Sequence, residues 1–190
     1  MSQGLSLGHV RTDMPVRRSR TNRVERDARL ASADAGAVYP RRMSRRPRRI
    51  LPEDGYFHVT CLGVAKCAIF RDDHDRVAFR ELLLRAADRF GLQYDAWCLM
   101  TTHVHAVIRA RRSALSTGIH WVNGIYAQRF NHRHDRTGHL FANRFSAYLL
   151  ETEEHWANAC RYVFDNPVKG GLCERAADWP WSGGRLSGMR

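Results

Sequence analysis

The 190-residue chain lacks any apolar run that approaches the roughly 20 residues of a membrane span, and no apolar segment near its N-terminus has the form of a secretory signal. It has only five cysteines, an odd number, and no two of them form a C-x-x-C pair. A disulfide framework or a thiolate zinc site is therefore not expected. These absences favour a protein of the reducing cytoplasm that does not span a membrane, and no membrane partner is expected, although charge alone does not distinguish DNA from RNA or from an anionic membrane surface.

Acidic residues are also scarce. The chain has 19 aspartates and glutamates against 31 lysines and arginines, for a formal charge of +12. Residues 1–50 hold 13 arginines and four acidic residues, and the rest of the chain holds 18 basic and 15 acidic residues. A polyanion is the natural partner, because basic side chains release counterions from phosphates. A solubilising arm, or sequence upstream of the true start codon, would have the same composition.

The patterning divides the chain into two regions. Residues 1–49 are rich in Arg, Ser and Ala with little apolar periodicity, which predicts a mostly disordered basic arm. Residues 50–190 predict one globular domain with the order strand, helix, strand, strand, helix, strand, helix. The first six elements match an α+β ferredoxin-like sandwich, an antiparallel sheet with helices on one face, and the third helix is an addition. The predicted strands cover residues 56–62, 92–100, 103–109 and 145–150.

Each predicted helix has residues suited to begin and end it. Short polar side chains at the N-terminus accept hydrogen bonds from the first unpaired N–H groups. The candidates for this position are Asp72 or Asp73, Ser113 and Thr152. The first helix should end at Gly91, the second near His134, and the third near Asp165, where Asn166 precedes a proline.

Two histidines, His103 and His105, lie at the start of the third predicted strand. Residues two apart in a strand point the same way, so both imidazoles should share one face of the sheet. Two imidazoles side by side form a metal half-site or a paired acid–base element. Surface histidines on an exposed strand face are the alternative.

The third helix offers partners for the histidines, because Tyr162 and Asn166 are four residues apart and share a helix face. His103, His105 and Asn166 would hold a hard divalent cation, Mg²⁺ or Mn²⁺. The cation would polarise a scissile phosphate, and the Tyr162 oxygen would attack phosphorus and form a phosphotyrosine. Tyr126 is the competing nucleophile, although it falls on the apolar stripe of the second helix. A helix-ending role is the alternative for Asn166.

Several stretches between about residues 55 and 185 resemble the single-tyrosine HUH transposases, in particular the group associated with repetitive extragenic palindromes (REP). The most specific combination is H-x-H at 103–105, R-Y-x-x-x-N-P-V at 161–168 and D-W-P-W-S at 178–182. The sequence departs from the family pattern at Thr101-Thr102, where Pro-Asn is usual, and at Leu62-Gly63-Val64, where Arg-Gly-Asn is common.

The resemblance implies both a reaction and roles for residues. The family cuts and rejoins single-stranded DNA beside imperfect hairpins, joining its tyrosine to a 5′ phosphate and releasing a 3′ hydroxyl. By motif position, His103 and His105 match the metal-binding pair, Tyr162 the nucleophile and Asn166 the residue that completes the metal site. A transposase-like enzyme, monomeric or homodimeric and bound at the nucleoid, is therefore expected. The alternative is a domesticated protein that binds palindromic DNA without cutting it.

Basic and aromatic side chains offer further contacts to nucleic acid. Six basic residues are candidates for binding phosphates: Arg129, Arg133, Arg136, Arg144, Arg161 and Lys169. A solvated surface is the alternative for them. Trp179 and Trp181 either stack on bases or close the core. An RNA-binding domain of ferredoxin-like shape is a third possibility, but it predicts aromatic pairs on the central strands where the two histidines lie. His58 and His139 receive no role.

Overall fold

The computed structural model describes residues 52–186. The predicted basic arm, residues 1–49, lies outside the described residues, as do residues 50, 51 and 187–190. The order of the elements is the predicted one, with a short fifth strand added. The strands are β1 (Asp54–Leu62), β2 (Gln93–Leu99), β3 (His103–Arg111), β4 (Ser146–Leu150) and β5 (Ser182–Gly183), and the helices are α1 (Asp73–Phe90), α2 (Arg112–Arg133) and α3 (Glu153–Lys169).

The five strands form one antiparallel sheet in the order β4-β1-β3-β2-β5. The first four strands have the ferredoxin-like order, which confirms the predicted α+β fold. The fifth strand pairs with Trp97 and Cys98 at the edge of β2. Its two residues are too few to show the alternation of polar and apolar side chains by which a strand is recognised in sequence.

Helices α1 and α2 cover one face of the sheet. Alternate residues of β1 and β3 point to that face, where they meet the apolar stripes of both helices. The strands contribute Phe57, Val59, Val104 and Ile108, and the helices contribute Phe79, Leu82, Val122, Tyr126 and Phe130.

Helix α3 packs on the opposite face of the sheet. Its residues Ala159, Cys160 and Val163 join an apolar cluster with Cys98 of β2 and Val107 of β3. Val107 has the same parity along β3 as the two predicted histidines, so α3 lies over the face that carries them.

Three predicted helix boundaries are confirmed by their geometry. Asp72 Oδ1 accepts a hydrogen bond from the backbone N–H of Asp75, and Thr152 Oγ1 accepts one from that of His155, each at 3.1 Å. Gly91 ends α1 with φ of 67°, a left-handed conformation that glycine adopts without strain. Within residues 52–186, none of the helices has the length and apolar character needed to cross a bilayer.

The predicted cap of α2 is wrong. The helix begins at Arg112, and Ser113 Oγ donates a hydrogen bond to Glu53 Oε1 at 3.2 Å instead of capping the helix. The backbone N–H of Arg112 donates to the Glu53 carbonyl at 2.7 Å. The chain that leads into β1 therefore satisfies the helix terminus, a long-range contact that the local sequence does not reveal.

The predicted end of α3 is also wrong, because the helix continues through Pro167 to Lys169. The Asn166 side-chain amide donates to the Tyr162 carbonyl at 2.8 Å, and the backbone N–H of Gly170 donates to the Asn166 carbonyl at 2.8 Å. These bonds hold the turns on both sides of the proline, although proline itself has no N–H to donate.

A buried carboxylate joins α1 to the end of α2. Asp75 is 3 % exposed and accepts hydrogen bonds from Arg133 at 2.6 Å, from His134 Nε2 at 2.9 Å and from the backbone N–H of Arg71 at 2.8 Å. Arg133 also donates to both oxygens of Asp72, and this pairing holds the pKa of Asp72 well below its usual range. The network ties the two helices together on the side of the sheet away from α3.

Replacing Asp75 with Asn should lower the free energy of unfolding by about 2 kcal/mol, because bonds to a buried charge are exchanged for bonds to a neutral amide. Urea unfolding at neutral pH measures the difference. Asp88→Asn, on the exposed side of α1, is the control and should change stability by less than about 0.5 kcal/mol. Equal stability of the Asp75 variant and the wild type would contradict this account of the network.

Candidate active site

His103 and His105 point to the same face of the sheet, as their spacing predicts. Their ring centroids lie 4.8 Å apart with the ring planes at 84°. Both side chains are buried beneath α3, so they are not the exposed pair that the alternative interpretation requires.

A threonine hydroxyl lies beside the Nδ1 atom of each histidine. Thr102 Oγ1 is 3.0 Å from His103 Nδ1, and Thr60 Oγ1 is 3.1 Å from His105 Nδ1. Thr102 stands where the family pattern has asparagine, so its hydroxyl supplies a polar partner at this departure from the pattern. With Nδ1 engaged on both rings, Nε2 is the atom that each imidazole can offer to a cation.

A third histidine, His58 on β1, belongs to the same cluster and was missed by the sequence analysis. Its Nε2 lies 3.1 Å from His105 Nδ1, and its side chain is buried. The antiparallel register sets Thr60 opposite His105, which brings His58, of the same parity, to the same face. The pairing of β1 with β3 follows from the predicted fold, but its register cannot be read from the sequence.

Helix α3 brings Tyr162 and Asn166 to the histidines. The Tyr162 ring centroid is 5.4 Å from that of His105 and 5.8 Å from that of His58, edge-on to both. Asn166 Nδ2 donates a hydrogen bond to the Tyr162 carbonyl. The Asn166 side chain also forms a hydrogen bond with His103, and this bond raises the pKa of that imidazole. The Asn166 side chain therefore lies next to His103 as well as next to the Tyr162 backbone.

Lys169 extends this arrangement toward solvent. Its Nζ lies 4.7 Å from the centroid of the Tyr162 ring, and the lysine side chain is exposed whereas Tyr162 is only 5 % exposed. A cation over the ring face is electrostatically favourable. The Tyr162 ring therefore contacts two imidazoles and an ammonium group.

The histidines are held neutral. Burial lowers the pKa of His58 and of His103 to about 4, and the Asn166 hydrogen bond partly opposes the shift at His103. Burial also lowers the pKa of His105 well below its usual range, with smaller contributions from the neighbouring His103 and His58. Neutral imidazoles have the free lone pairs that metal binding requires.

The donor set fits a divalent cation with an incomplete protein shell. His103, His105 and Asn166 lie together beneath α3, and waters would supply the remaining ligands of Mn²⁺ or Mg²⁺. Among residues 52–186 no group of three or more His, Cys, Asp or Glu side chains is arranged to hold a metal ion. A closed structural site is thus not formed by the described part of the chain, whereas an open one with an amide ligand is chemically reasonable.

The other predicted nucleic-acid contacts fall in different places. Arg133 pairs with the two aspartates of the α1–α2 network, and Arg136 donates to the Asn131 side chain and to the His139 carbonyl. Arg161 is exposed and donates to Asn158 on α3. The side chains of Arg129 and Arg144 are also exposed. Only Arg161 and Lys169 lie on the helix of the site, and DNA binding by the six basic residues stays a prediction.

Tyr126 and the two tryptophans of the predicted contacts pack against the apolar core. The Tyr126 hydroxyl donates to the Ile69 carbonyl at 2.5 Å within the core under α1 and α2, on the other face from the histidines. Trp179 and Trp181 are half-buried and pack against the two apolar clusters, with the Arg76 guanidinium 5.6 and 5.9 Å from their rings. Tyr162 is therefore the tyrosine that lies beside the histidine pair, and stacking of the half-buried tryptophans on bases stays a prediction.

Comparison with known families identifies the class of protein to which this fold and this cluster belong. The family model described as "Transposase IS200 like" matches residues 53–166, more than half of the chain. The chain belongs to the IS200-like transposase family.

Two relatives show how far the similarity extends. A Haemophilus influenzae protein assigned as a REP-associated tyrosine transposase is 24 % identical over 115 residues, which is 55 % of this chain and 65 % of the relative. The chain thus spans slightly less than two thirds of that curated relative. A solved structure of a REP-associated tyrosine transposase bound to a REP hairpin matches with a TM-score of 0.53 and 16 % identity, covering 70 % of this chain and 77 % of the other. This second match shows the shared fold.

The buried histidines predict that the metal-free protein loses stability in mild acid. The folded-state pKa of about 4 for His58 and His103 lies below the 6.5 of an unfolded histidine, so the unfolded chain binds protons first as the pH falls. The free energy of unfolding should be highest above about pH 6.5 and fall progressively toward pH 4, by more than about 1 kcal/mol.

Urea unfolding between about pH 7 and pH 4.5 measures this loss. His58→Phe should reduce it, and His120→Gln, at an exposed position of α2, should leave it as in the wild type. Stability that does not change over this range would contradict the presence of buried neutral imidazoles.

Proposed function

We propose that this protein is a metal-dependent endonuclease and strand transferase that cuts and rejoins single-stranded DNA beside hairpins through a covalent bond to Tyr162. The observation that carries the proposal is the position of the Tyr162 ring against His105, with Asn166 facing His103. Membership of the IS200-like transposase family supports it. The hairpin bound by the structural neighbour supports hairpin DNA as the partner.

The cleavage step is a transesterification. The Tyr162 oxygen attacks a backbone phosphorus, the bond from phosphorus to O3′ breaks, and the phenol gives up its proton while the departing O3′ gains one. The product is a 5′-phosphotyrosine and a free 3′ hydroxyl. Attack of a 3′ hydroxyl on the same phosphorus reverses the step and rejoins DNA. Because one phosphodiester replaces another, no nucleotide hydrolysis is needed.

A divalent cation held by His103, His105 and Asn166 would supply Lewis-acid polarisation of the phosphate oxygens. The two histidines would bind through Nε2, since their Nδ1 atoms face hydroxyl groups, and Asn166 would bind through Oδ1. Mn²⁺ and Mg²⁺ both suit this mixture of nitrogen and oxygen ligands with waters.

Lys169 is suited to act directly on the reacting groups. Its ammonium lies over the Tyr162 ring and reaches solvent, so it marks the side from which a phosphate can approach a tyrosine that is otherwise buried. There it would stabilise the phenolate and the negative charge of the phosphate. All of these groups come from a single chain, so the reaction is compatible with a monomer or a homodimer. The proposed cleavage and rejoining would take place on DNA in the cytoplasm, at the nucleoid.

Tyr162→Phe should abolish the covalent product without weakening DNA binding, because only the attacking oxygen is removed. A labelled single-stranded hairpin incubated with the protein and Mn²⁺ should give a denaturant-resistant adduct with the wild type and none with the variant. Tyr126→Phe is the matched control: it removes a hydroxyl from the core, costs about 1 kcal/mol of stability and should still form the adduct.

Two results would reject this proposal. An adduct formed by Tyr162→Phe would place the nucleophile elsewhere. Equal hairpin binding by both proteins with no adduct from either would establish the binding-only alternative, a domesticated palindrome-binding protein.

Lys169→Met should slow adduct formation by about 10-fold or more, because it removes a positive charge next to the reacting oxygen. Lys169→Arg should retain most of the rate, since the charge is kept. Arg175→Met removes an equal charge from an exposed arginine that pairs with Asp178 and should leave the rate unchanged. Single-turnover kinetics at saturating DNA separates this effect from affinity, and equal rates for Lys169→Met and the wild type would exclude the role.

A further inference from the structure

His58 contacts the candidate metal site without being one of its predicted ligands. It lies on β1, its side chain is 3 % exposed, and its Nε2 is 3.1 Å from His105 Nδ1. The ring centroids are 5.1 Å apart and the ring planes differ by 21°. This centroid separation is nearly the longest that a 3.1 Å contact between two five-membered rings permits, so the rings lie side by side, the geometry of an N–H···N hydrogen bond.

The direction of this hydrogen bond decides which nitrogen of His105 is available. If His105 Nδ1–H donates to His58 Nε2, the lone pair of His105 stays on its Nε2, where a cation can bind. If His58 Nε2–H donates instead, neutral His105 must carry its own proton on Nε2, and that atom cannot be a ligand.

We propose that His58 is a positioning residue that accepts a hydrogen bond from His105 Nδ1–H, fixes the tautomer of His105 and presents its Nε2 to the divalent cation. The inference rests on the proposed metal-dependent function. Ligating histidines commonly donate their second nitrogen to a nearby acceptor, which sets ring orientation and raises affinity for the metal. Here the acceptor is the imidazole of His58. Its Nε2 is engaged by His105 Nδ1 and is therefore not available to the metal.

Two neighbouring side chains, Thr60 and Tyr162, also contact the pair formed by His58 and His105. Thr60 Oγ1 lies 3.1 Å from the same His105 Nδ1, so the hydroxyl can keep part of the interaction when His58 is replaced. The Tyr162 ring meets His58 and His105 edge-on, with ring planes at 79° and 82°. His58 therefore orients the ligand and supports the tyrosine at the same time.

Mn²⁺ affinity measures the first role independently of catalysis. Electron paramagnetic resonance of free Mn²⁺, titrated with metal-free protein, gives the dissociation constant. His58→Phe keeps an aromatic ring and removes the acceptor, so the dissociation constant should rise about 10-fold. His58→Gln can place an amide oxygen near His105 Nδ1 and should restore most of the affinity. His134→Gln, at the α1–α2 network on the other side of the sheet, should match the wild type.

Folded His58→Phe with wild-type Mn²⁺ affinity would overturn the proposal. If that variant does not fold, ¹⁵N NMR of the wild-type histidine rings at saturating Mg²⁺ decides: a proton on Nδ1 of both His105 and His58 supports the proposal, and a proton on His58 Nε2 overturns it. The proposed function fails separately, and takes this inference with it, if the wild type binds no Mn²⁺ and forms no adduct. Wild-type adduct formation with unchanged His58→Phe affinity rejects the positioning role alone.

Discussion

The antiparallel pairing of β1 with β3 is the constraint on which the site depends. Its register sets Thr60 opposite His105 and brings three histidines from two strands to one face of the sheet. A slip of one residue would turn those side chains into the apolar core beneath α1 and α2. The same strands contribute Val59 and Val104 to that core, so the contacts that stabilise the fold also fix the geometry of the polar face.

The polar cluster is buried because α3 covers it, and burial determines its chemistry. Imidazoles withdrawn from water stay neutral, and unpaired polar groups there would be costly. The hydroxyls of Thr60 and Thr102 and the amide of Asn166 provide bonds inside the cluster. In the proposed function, the ligand and nucleophile positions would thus be set before DNA arrives, an arrangement that lowers the reorganisation needed during a reaction.

Much of this arrangement follows from local patterns in the sequence. Strand alternation indicates that His103 and His105 share a face of the sheet. The spacing of four residues in α3 indicates that Tyr162 and Asn166 share a face of that helix. The caps at Asp72 and Thr152 follow from short-range hydrogen bonding. The resemblance to HUH transposases adds predicted roles for these residues, and the family match agrees with the resemblance to a transposase.

Two of the three features that escaped prediction depend on contacts between distant parts of the chain. His58 joins the cluster only through the β1–β3 register. Ser113 fails as a cap because Glu53, about 60 residues earlier, supplies the polar partners. Pro167 does not end α3, since the bonds of Asn166 hold the turns around it. In the first two cases a tertiary interaction decides the outcome, whereas at Pro167 bonds between residues four apart in α3 override the preference of the residue before proline.

The central claim is that folding assembles a cation site beside Tyr162 of α3. Anomalous X-ray scattering from crystals soaked in Mn²⁺ tests it most directly, because the signal locates the ion without reference to activity. The account predicts one strong peak bound by Nε2 of His103, Nε2 of His105 and Oδ1 of Asn166, next to Tyr162. A strong peak at other residues, with none between the two imidazoles and α3, would contradict it.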